Sequence, residues 1–197
     1  MTSPENTDTW YKRVKHFNLA GHIHFLTFSC YRRMPLLAHE LWCSWLAESI
    51  SRSLEKHNVA LWAYVFMPDH VHLLVRPRND IYDISDFLRS MKISSAKRIL
   101  NSFREQHAPI LNKLQTQGIG ADSLYRFWQA GPGYDKNIWT LEKAVEKANY
   151  CHRNPVKRNL VASPEDWKWS SYRSLELGYP EREALAVDSW DEGLASP

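Results

Sequence analysis

The segment from Val59 to Val75 constrains the fold of this chain more strongly than any other. Its two apolar stretches, Val59 to Phe66 and His70 to Val75, have the length of β-strands and are separated by Met67-Pro68-Asp69. Proline presets the backbone angle of the first central position of a turn, and aspartate suits the position after it. The segment therefore predicts a β-hairpin, which requires an antiparallel sheet.

The rest of the chain supplies partners for this hairpin. Apolar spacing predicts strands at residues 22–30 and Tyr125 to Gln129, and helices at Leu41 to Leu54, Ile84 to Phe103 and Thr140 to about Arg153. Thr140 is the expected N-cap of the last helix and Pro155 is expected to end it. The order β-α-β-β-α-β-α predicts an α+β fold, a ferredoxin-like or palm-type antiparallel sheet with helices packed on one face.

Charge is distributed unevenly along the chain. Residues 176–197 hold six acids against one base, a net charge of −5, which leaves +8 on residues 1–175. We expect one domain over residues 14–175 followed by an acidic C-terminal tail over 176–197. A basic domain favours a polyanionic partner. The three cysteines form no CxxC pair and no apolar stretch approaches membrane-spanning length, so we expect a cytoplasmic protein without a membrane partner.

Two histidines lie one residue apart at the start of the second hairpin strand. Side chains at positions i and i+2 of a strand point to the same face, so His70 and His72 are able to reach one metal ion. The same spacing also fits two polar residues on the hydrated face of an ordinary strand. His22 and His24 show it too, without any motif around them.

The last predicted helix carries a second group of polar side chains. At about 100° per residue, Lys143, Lys147, Tyr150 and Asn154 fall on one face. The opposite face, expected to pack on the sheet, is formed by Leu141, Ala144, Val145, Ala148 and Cys151. A tyrosine flanked by lysines and followed one turn later by an amide is typical of a nucleophile beside a metal ligand. An exposed helix face that merely tolerates tyrosine is the alternative.

These segments in this order resemble the single-tyrosine transposases of the HUH endonuclease superfamily, and within it the REP-associated tyrosine transposases. The resemblance covers about residues 14–175. It rests on FLTFSCYRR, MPDHVHLLV, the RFWQ and YDKNI segments, the Tyr150-x-x-x-Asn154-Pro155 sequence and EDWKWSSYR at 165–173. Cys151-His152 departs from the residues found in many relatives, and the acidic tail is unlike theirs.

The resemblance implies the HUH endonuclease fold and an enzyme that cuts and rejoins single-stranded DNA bearing palindromic hairpins. Carried over by position, Tyr150 is the nucleophile that forms a 5′-phosphotyrosine, and His70, His72 and Asn154 are the metal ligands. Two imidazoles and one amide leave positions open for phosphate, and phosphate oxygens suit Mg²⁺ or Mn²⁺ better than a closed Zn²⁺ site would, although histidine ligands alone do not exclude Zn²⁺. The resemblance also implies a bacterial, nucleoid-associated protein. We expect Lys147 or the metal to assist removal of the phenol proton. Relatives act as monomers or homodimers, and the sequence does not decide between them.

DNA contacts are harder to predict than the chemistry. The cations expected to contact phosphates are Arg32, Arg33, Lys92, Lys97, Arg98, Lys147, Arg153, Lys157 and Arg158. The tryptophans available for base stacking are Trp62, Trp128, Trp139, Trp167 and Trp169, although tryptophan is more often a core residue. The WKWSSY segment is expected to be structural.

Two other functions fit parts of the sequence. A domesticated protein that binds DNA hairpins with weak or no catalysis would keep the same fold, but all four proposed site residues are intact. A zinc-stabilised RNA-binding domain would need a fourth ligand, for which the sequence offers no candidate.

Overall fold

The computed structural model describes residues 16–116, 125–179 and 184–190. The predicted hairpin is confirmed: β2 (Val59–Met67) and β3 (His70–Pro77) pair antiparallel, and Met67 lies opposite His70 across the two-residue turn. The turn is held from outside, because its backbone carbonyls accept hydrogen bonds from Leu37 and Cys30. His70 therefore starts its strand at a fixed position.

Four antiparallel strands form one sheet in the order β2-β3-β1-β4. β1 (Ile23–Ser29) lies centrally between β3 and β4, and β4 (Tyr134–Ile138) is an edge strand. The helices are α1 (Glu40–His57), α2 (Ile84–Glu105), the short α3 (Ile110–Leu114), α4 (Leu141–Lys157) and α5 (Tyr172–Leu177). The α+β class and the antiparallel sheet are thus confirmed.

The expectation that all helices pack on one face needs a correction. α1 and α2 cover one face, where Phe28, Phe66 and Leu73 lie in a large apolar cluster with residues of both helices. α4 covers the other face, where Ala144, Ala148 and Cys151 pack on strand residues of a second cluster. β2 is buried on both sides, which explains why it is apolar at every position.

Two local predictions were wrong. The segment Tyr125 to Gln129 forms only isolated bridges, and the fourth strand is the more polar Tyr134–Ile138. Its exposed edge and one solvated face account for the missing apolar pattern. α4 also continues through Pro155 to Lys157, because the missing N–H affects one hydrogen bond while Arg158 N–H still donates to the Asn154 carbonyl.

Further differences lie within and between the predicted helices. Leu141 and Val145 are exposed, whereas the amide of Asn154 is buried. The predicted loop over residues 109–124 contains α3, and its end at 117–124 lies outside the described residues.

The WKWSSY segment lies along the free edge of β2, as expected for a structural element. Trp169 and Ser171 exchange backbone hydrogen bonds with Phe66 and Tyr64, and the Trp167 indole donates to the Phe66 carbonyl. Within the predicted acidic tail, Trp190 stacks on Trp62. Among the helices of the described residues, none has the length and apolar character needed to cross a membrane.

Candidate active site

His70 and His72 project together from β3 toward the face that α4 covers. Their Nε2 atoms are 3.1 Å apart, and both side chains are buried. Burial on this scale excludes the interpretation that the two residues mark a hydrated strand face. The spacing therefore places two ring nitrogens at one point beneath α4.

The opposite ring nitrogens have separate partners. His70 Nδ1 lies 2.6 Å from the Asp69 carboxylate, and His72 Nδ1 lies 2.7 Å from the Thr27 hydroxyl. A carboxylate only accepts, so His70 donates from Nδ1; His72 donates in the same way when the Thr27 oxygen accepts. In this tautomer both Nε2 lone pairs face the shared point, which is the arrangement that metal-binding histidines require.

The electrostatic surroundings keep both imidazoles neutral. Burial, together with the neighbouring His70, lowers the pKa of His72 to about 3. Burial also lowers the pKa of His70, although the Asp69 carboxylate opposes this effect. Burial alone would raise the pKa of Asp69, but the hydrogen bond from His70 and the charge of Arg33 outweigh it and lower that pKa. Neutral imidazole is the form that binds a metal.

Asn154 meets the histidines from the last turn of α4. Its amide nitrogen lies 3.1 Å from His72 Nε2, and the side chain is 4% exposed. Rotation of the amide by half a turn exchanges its nitrogen and oxygen, which would present an oxygen ligand to the same point. Three polar groups from β3 and α4 therefore converge.

Tyr150 lies one turn before Asn154 at the mouth of this site. Its ring makes an edge contact with His72, at 5.3 Å between centroids, and another with Phe25 at 5.9 Å. The residue is 39% exposed, so its outer edge reaches solvent. The Lys157 and Lys147 ammonium groups lie 5.2 and 5.8 Å from the ring centroid. Two cations thus lie beside the tyrosine ring.

The donor set fits an open divalent-metal site. Nitrogen ligands at adjacent corners of an octahedron with bonds of about 2.1 Å lie about 3.0 Å apart, close to the separation of the two Nε2 atoms. Among the described residues no cluster of three or more His, Cys, Asp or Glu side chains has metal-binding geometry. A third protein ligand at this point would therefore be the amide of Asn154.

The other H-x-H pair is built differently. His24 is fully buried, and its ring nitrogens lie 2.9 Å from Asp135 and 2.8 Å from the Tyr82 hydroxyl. His22 lies 3.3 Å from the Asn137 amide. Both ring nitrogens of His24 have partners within the protein, so His24 has a structural role.

The predicted DNA-contacting cations fall on different parts of the molecule. Near the site are Arg33, Lys147, Lys157 and Arg158, the last close enough to affect the pKa of His72. Arg153 and Lys157 line a cavity of about 340 Å³ at the end of α4. Arg32 lies over the Tyr31 ring.

Three of these cations belong to α2, on the opposite face of the sheet. Arg98 pairs with Glu48 and covers the Trp45 ring, while Lys92 donates to the Gly131 carbonyl. Lys97 is exposed. The structure therefore does not bring the α2 cations to the histidines.

Sequence reasoning missed the side chains that orient the histidines. Asp69 was interpreted only as a turn residue, although its position directly before His70 is a usable signal. Arg33 reaches Asp69 with its Nε at 3.0 Å and so extends the chain of contacts to the surface. Thr27 lies opposite His72 across the β1–β3 pairing, and no sequence pattern reveals that register.

Residues 18–121, slightly more than half of the chain, match the sequence profile of the family described as Transposase IS200 like. The chain belongs to this family. The matched region of this IS200-like transposase contains His70 and His72 and ends before Tyr150 and Asn154. The family resemblance inferred from the sequence is thereby confirmed.

One solved structure shows a similar fold, and a second is a weaker match. The structure of a REP-associated tyrosine transposase bound to a REP hairpin has a TM-score of 0.61 and 20% identity, covering 95% of this chain and 99% of that one. A Deinococcus radiodurans R1 protein assigned provisionally as a transposase has a TM-score of 0.42 and 18% identity, covering 77% and 97%. A search of curated protein sequences finds no match.

Proposed function

We propose that this IS200-like transposase cuts and rejoins single-stranded DNA beside palindromic hairpins, with Tyr150 as the nucleophile. The observation that carries the proposal is the convergence of His70, His72 and Asn154 under a partly exposed tyrosine. Family membership supports the reaction class, and the REP hairpin held by the similar transposase supports the choice of DNA.

In this reaction the Tyr150 oxygen attacks a backbone phosphorus and the bond from phosphorus to the 3′ oxygen breaks. The products are a 5′-phosphotyrosine and a free 3′-hydroxyl; the phenol proton leaves to solvent and the 3′ oxygen takes up a proton. Lys147 and Lys157 lie where they would offset the phosphate charge. Mg²⁺ or Mn²⁺, when bound by His70, His72 and Asn154, would supply further stabilisation of the phosphate oxygens.

Covalent capture explains why a tyrosine is used in place of activated water. The phosphotyrosine diester keeps the energy of the broken bond, so a 3′-hydroxyl of another DNA end reverses the step and joins the strands. The half-exposed position of Tyr150 leaves room for that second strand.

The proposal is tested by trapping the intermediate. The protein is incubated with Mn²⁺ and single-stranded hairpin DNA labelled 3′ of the expected cut, and the covalent adduct is resolved on a denaturing gel. We expect an adduct with the wild-type protein and none with Tyr150→Phe, whereas Tyr125→Phe, a matched change outside the site, keeps it. His72→Ala and added chelator should each reduce it at least about 100-fold.

An adduct that persists in Tyr150→Phe would assign the nucleophile to another residue. Full activity in chelator would exclude the metal. If hairpin DNA binds tightly but no adduct forms under any of these conditions, the protein is a DNA-hairpin-binding protein without catalysis.

A further inference from the structure

The part of the sheet face beside the proposed active site carries exposed aromatic and basic side chains. α4 packs mainly across β2 and β3, and β4 lies beyond it at the sheet edge. Tyr134 pairs with Thr27 across the β1–β4 register, and Lys136 pairs with Phe25. Both therefore point to the face that holds His72, and Tyr134 is 51% exposed.

Trp139 directly follows β4 and lines the same cleft as Lys136. It is 68% exposed and belongs to neither apolar cluster. Among the described residues, the aromatic ring nearest to the Trp139 indole is that of His22, with centroids 6.0 Å apart. A tryptophan left this exposed keeps a large apolar surface in water, which is typical of a binding position.

Lysines surround this tryptophan. A shallow cleft of about 100 Å³ is lined by Lys136, Asn137, Ile138, Trp139, Lys143 and Lys147. Glu146 pairs with both Lys143 and Lys147, so one acid is shared by two bases. Such exposed ion pairs contribute little to stability, so a phosphate is able to displace them.

The cleft and the proposed active site are joined by one side chain. The Lys147 ammonium lies 5.8 Å from the Phe25 ring and 5.8 Å from the Tyr150 ring. Tyr134, at the other end of β4, is opposite Thr27, which contacts His72. The row of aromatic and cationic side chains therefore passes beside the nucleophile.

We propose that this row, formed by Tyr134, Lys136, Trp139, Lys143 and Lys147, binds the single-stranded segment of the DNA substrate. Trp139 stacks on one base and Tyr134 on another, while the lysines contact the phosphates between them. Alternating aromatic and cationic side chains select a single strand, because the base faces of a duplex are already stacked. The identity of the occupant rests on the proposed function.

Binding of a short oligonucleotide tests the proposal without any chemistry. Fluorescein-labelled dT10 is titrated, in the absence of metal, into proteins that all carry Tyr150→Phe, and anisotropy gives the Kd. Adding Trp139→Leu should weaken binding about tenfold, whereas Trp139→Phe should retain most of the affinity because a ring still stacks. Lys136→Gln should reduce the slope of log K against log salt by about 0.7.

Tyr179→Leu, a matched loss of an exposed aromatic ring on a different part of the chain, should bind dT10 like the parent protein. Photocrosslinking with 5-iodo-deoxyuridine should modify Trp139. Equal dT10 affinity for Trp139→Leu and Trp139→Phe would overturn the stacking role. Because dT10 binding needs neither the metal nor Tyr150, this result is independent of whether the covalent adduct forms.

Discussion

The proposed metal site depends on which ring nitrogen of each histidine forms a hydrogen bond with a neighbouring side chain. Asp69 and Thr27 bind the two Nδ1 atoms, so the two Nε2 atoms are left to face Asn154. The histidines alone would permit several tautomers and ring orientations. Their partners select the orientation in which both lone pairs meet.

Thr27→Val tests this selection. Valine keeps the branched shape that suits β1 but cannot hydrogen bond to His72 Nδ1, so the ring loses its fixed tautomer. Mn²⁺ binding measured by isothermal titration calorimetry should weaken about 10- to 100-fold. Thr27→Ser, which restores the hydroxyl, should recover most of the affinity. Unchanged Mn²⁺ affinity in Thr27→Val would show that the hydroxyl does not orient a ligand.

At the scale of the elements, the position of β4 depends on one glycine. Gly133 has a φ of +84°, and a Cβ built on it would lie 2.3 Å from the Thr27 carbonyl oxygen. Gly131 has a similar φ of +98°, but a Cβ there meets nothing within 4 Å. Comparing the same substitution at the two positions therefore separates the effect of backbone strain from the effect of steric overlap.

Gly133→Ala should therefore destabilise the protein more than Gly131→Ala. Each substitution places alanine in a strained conformation, at a cost on the order of 1–3 kcal/mol. Gly133→Ala adds an overlap with the backbone of β1, which costs about another 1–3 kcal/mol. Urea denaturation gives both free energies of unfolding. Equal losses would mean that the loop moves away from β1 without penalty.

The features that the sequence predicted correctly are those that depend on neighbouring residues in the chain. The hairpin follows from two apolar stretches and a Pro-Asp turn, and the H-x-H spacing follows from the two-residue period of a strand. β4 was misplaced because Tyr134–Ile138 is an edge strand whose polar residues carry no apolar alternation. The burial of Asn154 and the exposure of Val145 depend on how α4 crosses the sheet, which helical periodicity does not specify.

Across the whole molecule, the two faces of the sheet divide the basic residues. Lys157 lies on the face of the proposed active site, whereas Lys97 is exposed on α2 behind the opposite face. We therefore propose that the α2 cations contact the hairpin and not the strand that is cut.

Salt-dependent binding separates these contributions. Lys157→Gln should weaken binding of dT10 and of hairpin DNA alike, and lower each salt slope by about 0.7 to 0.9. Lys97→Gln, an identical chemical change, should affect only the hairpin substrate. If Lys97→Gln leaves both substrates unaffected, the α2 face takes no part in DNA binding.

The contact between Asn154 and His72 joins α4 to β3 through two residues that lie 82 positions apart in the chain. An ion bound by both would lose one ligand whenever α4 left the sheet, so ion binding and helix docking would be thermodynamically linked. The ion would then hold α4 on the sheet as well as take part in the reaction. Local opening of α4 would become rarer as the free metal concentration rises, and Tyr150 would be held more firmly in place when the metal is bound.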